Sequence, residues 1–229
     1  MDRERLLQIQ AALDGASGSS TRDLCRACAQ IVEVSGAGIS LMVGGGSEPL
    51  CASNRTAARI EDLQYTLGEG PCFESHARRA PVVEPDLAET ADGRWPSFRA
   101  GAMAAGAAAV FAFPLRVGAA RLGSLTLHQD RAGPLTATQY TDALATAEVA
   151  VHEILVAQAE GDDGRLAGQV AELGAYRAEV HQASGMVSVQ LGITVAEGLL
   201  RLRARAFAEG RPLADLAADV VTRRIRLDR

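Results

Sequence analysis

The sequence predicts an α+β protein: an antiparallel sheet with helices on one side, followed by a bundle of three short helices. Three observations carry this reading. Short alternating stretches at residues 38–53 and 108–129 fold back across glycine-containing turns, the pattern of β-hairpins. Helix-period stretches flank and separate them. From Val180 to Val221 three apolar stripes with helix caps follow one another.

In chain order, residues 3–14 are amphipathic, with Leu6, Ile9 and Leu13 on one face, and Gly15 to Ser20 is a small-residue break. Ser20 or Thr21 caps a second helix through Val34, whose face carries Leu24, Cys28 and Ile31. Cys25 and Cys28 lie within it as C-x-x-C; with no second pair and no nearby His, they read as core residues rather than a zinc half-site or redox pair. Gly38–Val43 and Glu48–Ser53 form a hairpin across Gly44, Gly45 and Gly46. No Gly-Lys-Ser/Thr follows, which excludes a phosphate loop. Ala57–Tyr65 is helical, and Pro71 opens a short helix with Cys72, Phe73 and His76. Pro81–Glu84 is a short strand, and a helix from the Arg94–Phe98 segment runs to about Ala105. Strands 108–117 and 122–129 form the second hairpin, and a long helix spans Thr136 to about Glu160. Gly161–Gly164 interrupts that helix, and Leu166, Val170 and Leu173 resume a stripe suited to a coiled-coil linker.

The C-terminal helices are the most specific signal. Thr194 and Glu197 have the T-x-x-E form of a capping box, placing a helix start at Thr194. Val195, Leu199, Leu202 and Ala206 share one face of that helix, Leu200 and Phe207 a second patch. Gly210 supplies the C-cap, and Pro212 suits the first turn of the next helix, with Leu213, Leu216, Val220 and Val221. The preceding helix carries Val180, Ala183 and Val187 and ends at Gly192. The surplus patch predicts packing against another helix or a second copy.

The 229-residue chain carries a formal net charge of −5, and all 23 of its Lys+Arg residues are Arg. Residues 165–229 hold 10 Arg against 7 acidic residues, a balance of +3, whereas the remainder stands at −8. A mildly basic end on an acidic body is compatible with weak, salt-sensitive RNA binding. The start, MDRERLLQIQ, is charged and helical rather than a signal peptide. The most apolar run, Ala100–Leu115, is too short and weakly apolar to span a bilayer. A cytoplasmic protein without membrane association is expected. Four Cys in a chain of this length do not predict a disulfide scaffold.

Two stretches resemble known families. Gly185, Met186, Gly192, Thr194, Leu202, Arg203, Ala206, Arg211, Leu213, Asp215, Leu216 and Ala217 match, without gaps, the ANTAR domain of bacterial response regulators. Three positions depart from it: Ser184 replaces a usual Lys, Gly198 an Ala, and Leu199 an aromatic. Gly198 costs its helix roughly 1 kcal/mol relative to Ala. Upstream, LGEGPCFES at Leu67–Ser75, RWPSF at Arg94–Phe98 and FPLRVGAARLGSLTLH at Phe113–His128 resemble a GAF domain, a sensing and dimerisation fold. Together the resemblances imply a GAF-like sensor over 18–157, a helical linker over 158–177 and an ANTAR-like module over 178–229. That architecture occurs in actinobacterial regulators of transcription antitermination.

The resemblance implies a homodimer that binds hairpin RNA, as a dual-hairpin leader or a terminator-overlapping RNA, and that is not an enzyme. Arg203 and Arg211 are the first candidate contacts, Ser184 and Gly185 a point of close backbone approach, and Arg201 and Arg205 further phosphate contacts. Cys72, Phe73 and His76 are the candidates to line a GAF pocket for a small-molecule ligand; no cofactor is identified. Cys72 at a helix start is read as buried structure, with redox sensing the sharper alternative. Two rival functions remain: a thiol-dependent GAF-fold reductase using Cys51 and Cys72, and a protein-binding regulator without RNA.

Overall fold

A computed structural model of the chain describes residues 3–17, 21–43, 46–90, 93–159 and 166–227. The chain divides into two compact units, Met1–Ala167 and Gly168–Arg229. The predicted breaks at 18–20, 44–45 and 161–164 lie outside the described residues.

The first unit contains helices α1 (Arg3–Ser17), α2 (Thr21–Val32), α3 (Arg55–Leu67), α4 (Pro71–Arg78), α5 (Pro96–Ala104) and α6 (Ala137–Ala159). Its strands are β1 (Gly36–Val43), β2 (Gly46–Ala52), β3 (Val82–Glu84), β4 (Ala109–Val117) and β5 (Ala120–Gln129). They form one antiparallel sheet in the order β2-β1-β5-β4-β3. Gly123 of β5 faces Leu41 of β1, and a Cβ there would collide with the Ser40 carbonyl oxygen. Only glycine admits the two strands at this separation.

Helices cover both faces of the sheet, not one. Val110 and Ala112 of β4 pack with Ile60, Leu63 and Phe98 from α3 and α5. Phe113, on the opposite face, meets Tyr140 of α6 edge-on at 5.5 Å. The run Ala109–Phe113 is accordingly buried at every residue, as a strand covered on both sides must be. The two sheet faces differ in chemistry. Ala37, Ile39, Leu125 and Leu127 line the α2–α6 side, whereas Gly38, Ser40, Ser124 and Thr126 line the α3 side.

Cys25 of α2 is disulfide-bonded to Cys51 of β2, closing 26 residues of sequence. Cys25 is buried, as expected of a core residue, but the bridge was not expected from four Cys in a chain of this length. Cys28 and Cys72 are free and buried. Cys28 lies three positions beyond Cys25 on the same helix, and only the fold decides which of the two faces β2.

The second unit is helical: α7 (Leu166–Leu191), which enters it at Gly168, α8 (Val195–Ala208) and α9 (Leu213–Val221). The linker stripe and the first bundle helix are thus one continuous α7; the side chains of Leu166, Val170 and Leu173 lie outside the described residues. Gly192 at φ 66° ends α7, and the segment Ala178–Leu191 turns by 104° into α8. The capping box is complete: Thr194 Oγ1 accepts from the Glu197 amide, and the Glu197 carboxylate accepts from the Thr194 amide at 2.8 Å. The core joins Val180, Ala183 and Val187 to Leu202, Ala206, Leu213, Leu216 and Val220.

Val195 departs from its expected face and is 52% exposed. The buried stripe of α8 is Gly198, Leu202 and Ala206. A Cβ on Gly198 would lie 2.5 Å from the Ser184 carbonyl oxygen and 3.3 Å from the Ser188 nitrogen. The small residue is therefore required by close helix approach. Gly198→Ala should lower the unfolding free energy of this unit by about 1–3 kcal/mol, overriding Ala's better helix propensity. Chemical denaturation checks the sign; a stabilised variant would refute the close approach.

Candidate functional site

Beneath α3 and α4 lies a buried cluster of polar side chains. Glu61 is 1% exposed, and Ser40 Oγ donates to its carboxylate. Gln64 Nε2 donates to Glu61 Oε1 at 3.4 Å and to Thr126 Oγ1 at 3.3 Å. Gln64 Oε1 accepts from the Cys72 amide at 2.8 Å, and the Cys72 thiol contacts Ser47 Oγ at 3.5 Å. Two glycines make the room. A Cβ on Gly38 would sit 2.6 Å from Glu61 Cγ, and one on Gly70 would sit 2.9 Å from Gln64 Cγ.

Burial dominates the electrostatics here. It pushes the Glu61 carboxyl up to about 7, opposed by the hydrogen bonds from Ser40 and Thr126. Burial, reinforced by the Glu61 charge, raises the Cys72 thiol well above its ordinary range. Burial also pushes Cys28 up to about 12. Both free thiols are held protonated, opposite to what an activated sulfur needs. The helix start at Cys72 does not compensate, because desolvation is the larger effect.

Of the residues expected to line this region, Cys72 belongs to the cluster, Phe73 is half-buried on α4, and His76 lies a turn further on, half-buried beside Arg121. Ser40, Glu61, Gln64 and Thr126 were not anticipated. Glu61 and Gln64 stand three apart on one helix, but nothing local marks that face as buried. Among the described residues, no group of three His, Cys, Asp or Glu could hold a metal ion.

The family-like motifs at the rim are structural. Glu69 Oε1 accepts from the Ser97 and Phe98 amides, both at 2.9 Å, and so caps α5. Arg94 bonds Glu74 and Glu84 and lies 4.0 Å above the Trp95 ring. LGEGPC and RWPSF thus lock to each other.

In the second unit, Ser184 is fully buried, its hydroxyl donating to the Val180 carbonyl at 2.7 Å. Gly185 is half-buried, Arg201 exposed and Arg203 half-buried. Arg205 pairs with Glu209 at 2.7 Å, and Arg211 pairs with Asp219 at 2.6 Å. Arg211 therefore ties the α8–α9 turn to α9. A groove of about 690 Å³ runs beside these elements, lined by Gln182, Gly185, Met186, Val189, Gln190, Arg223 and Arg226. Arg223 and Arg226 lay beyond the matched motif and were missed. Leu200 and Phe207 remain 65% and 47% exposed.

No family model matches the sequence, and no curated protein matches it. Solved structures do. The GAF domain of an Acinetobacter phosphoenolpyruvate-protein phosphotransferase is 12% identical, with a TM-score of 0.51 over 71% of this chain and 100% of that one. The GAF domain of the Coxiella burnetii phosphoenolpyruvate-protein phosphotransferase is 14% identical, with a TM-score of 0.52 over 70% and 99%. At these identities the likeness is one of fold: the five-stranded antiparallel sheet with flanking helices is GAF-like. Among the described residues, no single helix is long and apolar enough to cross a membrane.

Proposed function

We propose that this chain is a signal-responsive regulator whose GAF-like unit senses and whose three-helix unit binds hairpin RNA to favour antitermination. The carrying observation is the ungapped ANTAR-type pattern from Gly185 to Ala217. Its matched Leu202, Ala206, Leu213, Leu216 and Ala217 form the buried core of a capped helical unit. The groove along Met186 and Val189 supports this reading. Its two glutamine amides suit base edges, its apolar floor suits an unstacked base, and Arg223 and Arg226 suit phosphates. On the sensing side, a ligand that donates to Glu61 and bonds the Gln64 amide would replace bonds the cluster makes with itself.

Gel shifts with a dual-hairpin RNA test the proposal. Arg203→Ala, Arg211→Ala and the Arg223→Ala/Arg226→Ala pair should each weaken binding by about tenfold, on the order of 1.4 kcal/mol, and lower the salt dependence. Thermal melts of Arg211→Ala separate a lost contact from a lost Asp219 strap. Unchanged binding by all of them would remove this face from RNA recognition.

The exposed Leu200 and Phe207 favour a second reading, association of this unit with a second copy or another protein. The reductase reading loses support: Cys51 is bonded to Cys25, and Cys72 is buried as a thiol.

A further inference from the structure

A second feature of the first unit lies outside the buried cluster. Arg116 and Arg121 face each other across the β4–β5 hairpin, beside a register shift at Leu115/Arg116. Directly opposed like charges destabilise an antiparallel pair. Arg79, in the left-handed conformation at the end of α4, converges on the same place. All three arginines are exposed. Among the described residues, the side chains of Arg79 and Arg116 make no ion pair or hydrogen bond, and that of Arg121 makes one, to the His76 carbonyl at 3.4 Å. The nearby Glu74 is already engaged by Arg78 and Arg94. Three guanidinium groups thus gather, on the acidic part of the chain, around a cleft whose own lining holds no carboxylate.

They surround a cleft of about 70 Å³ that His76, Arg79, Arg116 and Arg121 share with Gly118 and Gly123. That is room for a few water molecules or one tetrahedral oxyanion. His76 Nδ1 is buried here without a hydrogen-bond partner. Burial and the neighbouring Arg121 charge both lower the His76 pKa, so an unneutralised positive field bears on it. A wider cleft of about 420 Å³ adjoins, sharing Arg79 and Arg116 and adding Pro81, Leu144 and Glu148. Glu148 borders only the wider cleft, which leaves the smaller one as the seat for negative charge.

We infer that the Arg79–Arg116–Arg121 cleft is a binding site for a phosphoryl oxyanion, carried either by inorganic phosphate or by a small phosphomonoester whose apolar body enters the wider cleft. Guanidinium forks match phosphate oxygens in pairs, and the bound dianion would neutralise the Arg116–Arg121 repulsion. Ligand binding would thereby stiffen the hairpin that closes the sheet.

The test uses the full chain with labelled histidines, followed by NMR at constant ionic strength. Inorganic phosphate and phenyl phosphate are titrated separately. The His76 ring signals should shift saturably with either probe, while His128, His152 and His181 stay put. The His76 protonation midpoint should rise as the anion offsets the charges of Arg79, Arg116 and Arg121. Arg116→Ala/Arg121→Ala should weaken binding by at least about tenfold, whereas Arg131→Ala, at an exposed site elsewhere, should not. Tighter binding of phenyl phosphate assigns the site to a phosphomonoester; equal binding assigns it to free phosphate. A linear, unsaturated drift, or the same curve in the double variant, would overturn the inference. The positions are exposed, so unchanged spectra elsewhere will show that the variant remains folded.

Discussion

Glu61→Gln should remove a pH-dependent destabilisation on the order of 3 kcal/mol. The Glu61 carboxyl is raised by burial from 4.5 to about 7, so the fold prefers it protonated. Below pH 4.5 both the folded and unfolded chains hold the proton, and no charge is buried. Between 4.5 and about 7 the unfolded chain releases its proton while the folded one retains it, and stability falls. Above about 7 the penalty is complete, and the size follows from the gap between the two values. Gln copies the neutral form and cannot ionise. Buried His128 complicates the wild-type profile. Burial lowers it to about 4, so its neutral state contributes stability that is lost as pH falls from 6.5 through about 4. The two trends oppose each other, and the wild-type curve alone can look flat. The difference between variant and wild type isolates Glu61. Urea unfolding at pH 5, 6.5 and 8 should show the variant gaining relative to wild type with each step. Parallel profiles would sink the assignment.

Removing the Cys25–Cys51 bridge should cost the first unit about 3 kcal/mol. The bond closes 26 residues of sequence, and a loop of that size restricts the unfolded chain by an amount within the usual 2–4 kcal/mol. It also fastens edge strand β2 to α2. Cys25→Ala/Cys51→Ala should unfold at clearly lower denaturant, with Cys72→Ala as the variant that leaves the bridge intact. Alkylation of the denatured, unreduced protein should label Cys28 and Cys72 and spare Cys25 and Cys51; labelling of all four would refute the bridge. A lasting disulfide is uncommon in a reducing cytosol, so the bond and the cytoplasmic expectation make opposite demands. Alkylation during rapid lysis decides between them.

Reading from sequence worked where the signal is local. Thr194 and Glu197 are three residues apart and cap each other directly, so the start of α8 was legible to the residue. Pro71 and Pro96 each open a helix because a missing amide costs nothing at that position. Both hairpins appear at their expected places, since a turn and two alternating strands are neighbours in the chain. Gly123 lies within the second hairpin, and the Ser40 carbonyl of the neighbouring strand approaches it.

Elsewhere the chemistry depended on partners far away. Gly198 looked like a weakness in a helix until Ser184 was seen against it: two residues that each depart from the ANTAR pattern meet at one contact. Nothing local assigns roles to Glu69, Glu74 and Glu84: the fold makes Glu69 a cap of α5 and joins the other two to Arg94.

By itself, then, the sequence determined the helices, the hairpins, the capping box of α8 and the succession of a mixed α/β unit and a helical end. Periodicity, turn residues and capping act over a few positions, and each can be read within its own window. Only the tertiary structure decided that helices cover both sheet faces, that Cys25 rather than Cys28 meets Cys51, and that Glu61 is buried among Ser40, Gln64 and Thr126. It also decided that Arg79, Arg116 and Arg121 converge. Burial, disulfide geometry and charge proximity are properties of distance in space, and residues 79 and 116 acquire theirs only when α4 packs beside the β4–β5 hairpin.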